Sequence, residues 1–408
     1  MLMIRTGIRR RLILSAGTLL AALAVPAVSA VSAAVIFGAV SAVGTEENAA
    51  CSSNADIANS SDPLLYKPER EQRDISSGDT GEPAEEPAVT APAVAAENKL
   101  PGKYIHTVNM NEVSEDLNTF TVHSGKIVNE TFGKGNGPEF ISLPGGGQLR
   151  NCTEIPAETV RAECSVNGVP AVELYSDEPQ VLILHTHTTE SYEPYEKDWY
   201  DDSYTSRSAD PSNGVIAVGE AIAEQLAAAG INVIHDCTVH DLTYSGAYSR
   251  SLGTALSVIG RYPSVKVVLD VHRDAVEYED GTRVSAVTEI NGKKAAQTMI
   301  ICAADDGTFE VPDFMNNLRF ASAFQQSMES HYPTLTRPVL FQYCQYNQQV
   351  SPGALLVEVG SHGNSIDQAV YSGELIGKSL ADLLTENRAA EAVPVSVKMP
   401  VYFFDRVR

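Results

Sequence analysis

The stretch that decides the fold is Gln180-Val181-Leu182-Ile183-Leu184-His185-Thr186-His187-Thr188-Thr189-Glu190. Four consecutive apolar residues, too few for a helix, read as a strand buried on both faces, and the polar run that follows is rich in metal-ligating and proton-carrying groups. Just downstream, Val215 to Ala229 has apolar residues at helical spacing (Ile216, Val218, Ile222, Leu226) and stops at Gly230, and Ile231-Asn232-Val233-Ile234 is a second strand. Strand, helix, strand predicts a parallel crossover unit.

The same alternation continues toward the C-terminus. Ser245 to Arg261 predicts a helix, Val265 to Val271 a buried strand, and Val284–Ile290 and Thr298–Cys302 a hairpin around Asn291-Gly292. Asp313 to His331 predicts a helix, Ala354 to Val359 a buried strand, and Ser365-x-x-Gln368 a capping box opening a helix to about Asn387. Residues 180–390 therefore predict an α/β domain with a mixed, mostly parallel sheet flanked by helices. Residues 100–179 alternate in short runs broken by turns such as Pro144-Gly145-Gly146-Gly147, which predicts a small β-rich flank.

Upstream the composition changes twice. Residues 1–45 carry Arg5, Arg9, Arg10 and Arg11 and then an uncharged apolar run from Leu12 to Val43, read as a membrane segment with its basic end in the cytoplasm and the rest of the chain outside. Ala27-Val28-Ser29-Ala30 offers a cleavage site, but the run continues past it far enough to span a bilayer, so an uncleaved anchor is expected. Cys51 lacks the aliphatic neighbour of a lipidated cysteine, since Asn48, Glu46 and Glu47 stand before it. Residues 46–99 are rich in Ser, Asp, Glu, Pro and Ala and predict an extended, disordered acidic tether. Residues 391–408 form a C-terminal extension of strand-like composition. The net charge of −23 argues against nucleic acid as a partner, and six scattered cysteines without a CxxC pair argue against a thiolate metal site.

In open α/β sheets ligands gather beyond the carboxyl ends of the strands. Three such ends are chemically loaded: His185-Thr186-His187-Thr188-Thr189-Glu190, His272-Arg273-Asp274, and Glu358 followed by Gly360-Ser361-His362-Gly363. His187, Glu190 and His272 offer two imidazoles and a carboxylate, a set suited to Zn²⁺ with a fourth position open to water, and Glu358 on an apolar strand is the candidate general base. His185 competes with His187, and Asp210 or Glu220 with Glu190, as the ligand. Asp270 is expected to orient His272, Arg273 and Arg250 to polarise a carbonyl or bind a carboxylate, and His185 and His362 to act beside the ligands or on substrate. His235, Asp236, His240 and Asp241 are read as loop-fixing hydrogen-bond groups. Gly360-Ser361-His362-Gly363 lacks the spacing of a serine nucleophile elbow.

Four blocks carry a resemblance: His185-Thr186-His187-Thr188-Thr189-Glu190-Ser191-Tyr192, His235-Asp236-x-Thr238-x-His240-Asp241, Asp270-x-His272-Arg273-Asp274-Ala275, and Glu358-Val359-Gly360-x-His362-Gly363-Asn364. In this order the sequence resembles the stage II sporulation protein P family from about Leu100 to Asn387. That family is similar to zinc-dependent N-acetylmuramoyl-L-alanine amidases, with a fold like that of zinc carboxypeptidases. The resemblance implies zinc held by His187, Glu190 and His272, Glu358 as base, and peptidoglycan as substrate. It also implies a single-pass membrane protein acting in engulfment beside stage II sporulation proteins D and M. A zinc endopeptidase acting on stem peptides, or a non-catalytic wall-binding scaffold, are the alternatives.

Overall fold

The computed structural model describes residues 102–107, 124–201, 203 and 206–391, all within the unit Glu47–Arg408. The predicted anchor, the tether and nearly all of the C-terminal extension lie outside the described residues. Among the described residues no helix is long and apolar enough to cross a membrane.

The apolar run Val181–Leu184 is strand β5, buried at every position. Its neighbours are β7 (Val233–Asp236) and β8 (Val267–Asp274), both parallel to it, and β8 pairs in turn with the parallel strand β13 (Ala354–Ser361). The full order of this nine-stranded sheet is β1-β7-β5-β8-β13-β11-β12-β4-β3, adding β1 (Tyr104–Thr107), β11 (Thr298–Ala304), β12 (Val339–Tyr343), β4 (Gln148–Asn151) and β3 (Phe140–Ser142). Only the β13/β11 and β4/β3 pairs are antiparallel, so the sheet is mixed and mostly parallel.

A second sheet of four strands was not anticipated: β10 (Lys293–Ala296), β9 (Arg283–Ile290), β2 (Gly125–Glu130) and β6 (Trp199–Tyr200), in that order. It corrects the hairpin reading. Asn291 and Gly292, with φ of 52° and 74°, form the two-residue turn, but the strand it returns is Lys293–Ala296. A two-residue turn fixes pairing with the residues next to it, so Thr298–Ala304 is left to enter the larger sheet beside β13. The strands of the 100–179 flank are divided between the two sheets, and Ala157–Glu163, which follows them, is helix α1.

Helices α2 (Val215–Ala228), α4 (Phe314–His331) and α5 (Ile366–Glu391) pack on one face of the large sheet, and α3 (Ala247–Arg261) on the other. Alternation along the strands sorts their side chains: Val181, Ile183, Val267, Leu269, Val271, Leu355 and Val357 join the core with α2, α4 and α5, while Leu182, Leu184 and Val268 face α3 with Ala255. The capping box is formed, Gln368 donating its N–H to Ser365 Oγ (3.4 Å) and accepting the Ser365 N–H at Oε1 (3.2 Å). Helices α2 and α5 meet at close range because Gly373 and Gly377 present bare backbone; a Cβ on Gly377 would lie 2.8 Å from both Ile222 O and Gln225 Cβ. Gly377→Ala is therefore expected to destabilise the protein by about 1–3 kcal/mol in urea unfolding, against the roughly 1 kcal/mol that alanine gains as a helix former. A stabilised variant would mean that the two helices yield freely.

Candidate active site

The carboxyl ends of β5, β8 and β13 lie side by side, with Leu184 opposite Asp270 and Glu358 opposite His272. Asp270, His272 and Asp274 alternate onto the face of β8 turned toward α3. Beyond Glu358 the pairing of β13 with β8 shifts register at Gly360, whose φ is +63°. A bulge at this place re-aims the strand end at Ser361 and His362.

Glu190 and His272 meet: Glu190 Oε2 is 3.4 Å from His272 Nδ1 and accepts the Arg273 backbone N–H at 3.1 Å. On the other side of the imidazole, Asp270 Oδ1 lies 2.9 Å from His272 Nε2. Asp270 is itself fixed by Thr186, which donates its N–H to Oδ1 (2.8 Å) and its hydroxyl to Oδ2 (2.6 Å). The His187 ring stands edge-on to His272 with centroids 5.4 Å apart, and its buried Nδ1 has no hydrogen-bond partner among the described residues, lying 3.8 Å from Asp241 Oδ2. His187, Glu190, His272 and Glu358 are all at least nine-tenths buried.

Alternation places His185 and His187 differently. His185 continues the Ile183 face of β5, away from the Asp270–His272 side; its Nδ1 is 2.9 Å from Val271 O and its Nε2 is 2.9 Å from His235 Nε2. It is wholly buried there, so the expected role beside the ligands or on substrate is replaced by a core one. Neither rival of Glu190 reaches the site: Asp210 caps the 3₁₀ turn Pro211–Asn213 through Ser212 N, and Glu220 lies 3.6 Å from His235 Nδ1.

Both arginine expectations change. The Arg273 guanidinium donates to Ser191 O (2.7 Å), Ser206 O (2.7 Å) and Asp274 O (3.2 Å), so it braces the Glu190 loop. Arg250 donates to His240 O (2.5 Å), Ser245 O (3.1 Å) and Thr243 O and clasps the loop before α3. The carboxylate of Asp274 pairs with Arg337 (2.8 Å), a residue that sequence spacing gave no reason to choose. His240 and Asp241 act as loop-fixing groups: His240 Nδ1 is 2.8 Å from His185 O, and Asp241 accepts from Thr189 N, Thr189 Oγ1 and Arg207. Tyr244 and Tyr248 complete the surroundings, their rings 4.7 and 5.6 Å from that of His187.

The carboxyls are driven apart in acidity. Burial pushes Glu190 up, but hydrogen bonding and charge from His272, with Arg273 and His187 adding to it, hold it well below the usual carboxylate range. Glu358 goes the other way: burial, reinforced by the Asp274 charge and only partly opposed by His272, raises it to about 8. Burial pushes His187 down, whereas Asp270 and Glu190 overcome burial at His272 and hold it well above 6.5.

His362 is 6% exposed, with Nε2 3.5 Å from Glu277 Oε2, and burial depresses it from 6.5 to about 4 against the opposing pull of Glu277. Such a histidine costs nothing above its unfolded pKa and destabilises as pH falls through that value toward the folded one, where the unfolded chain binds a proton the folded chain refuses. The urea midpoint is expected to drop between pH 6.5 and 4.5, and less steeply in His362→Gln. Equal slopes for the two proteins would assign the acid lability elsewhere.

Among the described residues no three His, Cys, Asp or Glu side chains already enclose one point as a metal cage. The donor chemistry nevertheless fits zinc: the 3.4 Å between Glu190 Oε2 and His272 Nδ1 matches the roughly 3.3 Å edge of a tetrahedron with bonds of about 2.0–2.1 Å, and His187 Nδ1 is a buried nitrogen without a hydrogen-bond partner among the described residues. Residues 90–381 match the family model of Stage II sporulation protein P. Stage II sporulation protein P of Bacillus subtilis (strain 168) is 26% identical over 230 residues, 53% of this chain and 54% of the relative, so the chain spans about half the length of the curated relative it matches. Among solved structures, an N-acetylmuramoyl-L-alanine amidase from Clostridium difficile 630 aligns at 15% identity and TM-score 0.31 over 53% of this chain and 100% of that one. The catalytic domain of CwlV, an N-acetylmuramoyl-L-alanine amidase from Bacillus (Paenibacillus) polymyxa var. colistinus, aligns at 13% identity and TM-score 0.28 over 52% and 98%. With the family match running through every strand that bears a candidate residue, the chain belongs to the stage II sporulation protein P family.

Proposed function

We propose that the protein is a zinc-dependent peptidoglycan hydrolase that opens the amide between N-acetylmuramic acid and L-alanine. The observation that carries this reading is the meeting of Glu190 and His272 at 3.4 Å, with the His187 ring beside them and Glu358 in register with His272 on the next strand. His187, Glu190 and His272 would hold the metal. When bound, zinc supplies a Lewis acid for the amide carbonyl and lowers the pKa of water in its open position.

The chain's own residues do the rest. Asp270 engages Nε2 of His272 and so leaves Nδ1 for the side where Glu190 stands. Arg273 holds Glu190 through its backbone N–H and the surrounding loop through its guanidinium. Glu358, in register with His272 on the neighbouring strand, takes the proton from the attacking water and delivers it to the departing nitrogen. Water oxygen bonds to the lactyl carbon, the C–N bond breaks, and the products are a muramyl carboxylate and a stem peptide with L-alanine at its amino end.

The family membership supports a role in sporulation. In the same reading the apolar run Leu12–Val43 anchors the chain, the acidic tether holds the hydrolase outside the membrane against the wall, and stage II sporulation proteins D and M are its partners. An endopeptidase would use the same metal, water and base, and the identity of the bond cut separates the two.

Glu358→Gln is expected to retain zinc while hydrolysis falls by about 10²–10⁴, followed by mass spectrometry of products from purified peptidoglycan. Near-normal turnover would remove Glu358 as the base, and shortened stem peptides on intact muramyl amides would replace the amidase with an endopeptidase. Zinc uptake should displace the proton that His272 holds between Glu190 and Asp270. Affinity is then expected to rise about tenfold per pH unit near neutrality, with proton release in calorimetry across buffers of different ionisation enthalpy. A pH-independent affinity would exclude His272 as a ligand.

A further inference from the structure

The loop joining β7 to α3 bears two exposed apolar side chains that the chemistry above does not use. Leu242 is 54% exposed and Tyr244 60%, yet Tyr244 is in contact with the site: its ring lies parallel to His187 within 4°, centroids 4.7 Å apart, and the Arg207 guanidinium is 5.2 Å from its centroid. The loop is held at both ends. Asp241 is bonded to Thr189 and Arg207, Arg250 ties down the carbonyls of His240, Thr243 and Ser245, and Gly246 (φ +79°) leads into α3. A clasped loop that presents a tyrosine to solvent beside buried catalytic groups marks a contact surface.

The aromatic surface continues inward. Tyr248 stands 5.6 Å from His187 and 5.4 Å from Tyr346. Tyr346 and the next residue, Asn347, are both left-handed, with φ of 44° and 55°, a backbone that bulky residues adopt only when the surroundings enforce it. Asn347 enforces it here by donating to Tyr248 O and Ser251 Oγ, both at 2.9 Å.

What such a surface recognises follows from what it leaves open. The Thr243 and Ser245 carbonyls are engaged by Arg250 and the Asp241 carboxylate by Thr189 and Arg207. What it turns to solvent is Leu242 and the part of the Tyr244 ring that does not rest on His187. A ring face is electron-rich and attracts the C–H groups that a pyranose presents on its apolar side, while the sugar hydroxyls stay in water.

We infer that Tyr244, with Leu242 beside it, is a saccharide subsite that takes the apolar face of the amino sugar whose amide is opened at His187, Glu190 and His272. The inference rests on the amidase reading for the sugar's identity, but its test does not need turnover. Glycan strands of N-acetylglucosamine and N-acetylmuramic acid, stripped of stem peptides, contain no bond that an amidase or endopeptidase cuts. Calorimetric titration of these strands into the full chain is expected to show binding that weakens at least tenfold in Tyr244→Ala, that Tyr244→Phe largely restores, and that Leu242→Ser lowers by less. On intact peptidoglycan Leu242→Ser should raise KM with kcat within about threefold, at unchanged zinc content and melting temperature. Unchanged glycan affinity in Tyr244→Ala, or a parent chain that turns over peptidoglycan without binding peptide-free glycan, would overturn the subsite. Loss of glycan binding in Tyr244→Ala alongside products with intact muramyl amides would overturn the amidase reading and leave the subsite standing.

Discussion

One buried carboxylate organises the site. Asp270 sits on the central strand β8 at 5% exposure, where an uncompensated charge would be prohibitive. Two bonds from Thr186 and the contact with His272 Nε2 compensate it so fully that its acidity increases despite burial. Thr186 is the second residue past β5, so the same carboxylate that aims His272 also fixes where the polar run carrying His187 and Glu190 leaves the sheet. Position of the ligands and orientation of the imidazole are thus a single constraint.

A second consequence is electrostatic. Glu190 and Glu358 occupy one buried neighbourhood, yet their surroundings separate them: Glu190 faces His272 and the Arg273 backbone, whereas Glu358 faces Asp274, whose charge Arg337 only partly offsets. Two carboxyls pushed in opposite directions are suited to opposite tasks, one to stay ionised as a ligand and the other to exchange a proton near neutrality.

The parts of this arrangement visible in the sequence are those set by local pattern. The four-residue apolar run, the helix halted at Gly230 and the Ser365–Gln368 capping box each depend on neighbours a few positions away, and each is found in place. The choice between His185 and His187 needed the face of the sheet, which a short strand running into a turn does not declare. Thr298–Ala304 has the composition of a hairpin strand but pairs elsewhere, because the Asn291-Gly292 turn commits its own flanks first. Arg250 and Arg273 look like substrate binders in a sequence; only the folded loops reveal that both donate to backbone carbonyls. Arg337 and Tyr244 belong to the site through contacts across 63 and 57 positions (Arg337 to Asp274, Tyr244 to His187), beyond any periodicity.

The change of strand direction at β13 explains what stands around Glu358. Because β11 runs antiparallel to β13, the beginning of β11 lies next to the carboxyl end of β13, Thr298 opposite Val359 and Met299 opposite Glu358. The residues just before β11 belong to the second sheet, so that sheet is delivered to the rim of the site: Gly360 N donates to Gln297 O, Ser361 Oγ to Val284 O, and Glu277 meets His362. An all-parallel sheet would have placed the opposite end of the next strand there. The departure of β11 from the parallel pattern therefore encloses Glu358 on that side, and burial is the largest contribution to raising its pKa above the ordinary carboxylate range.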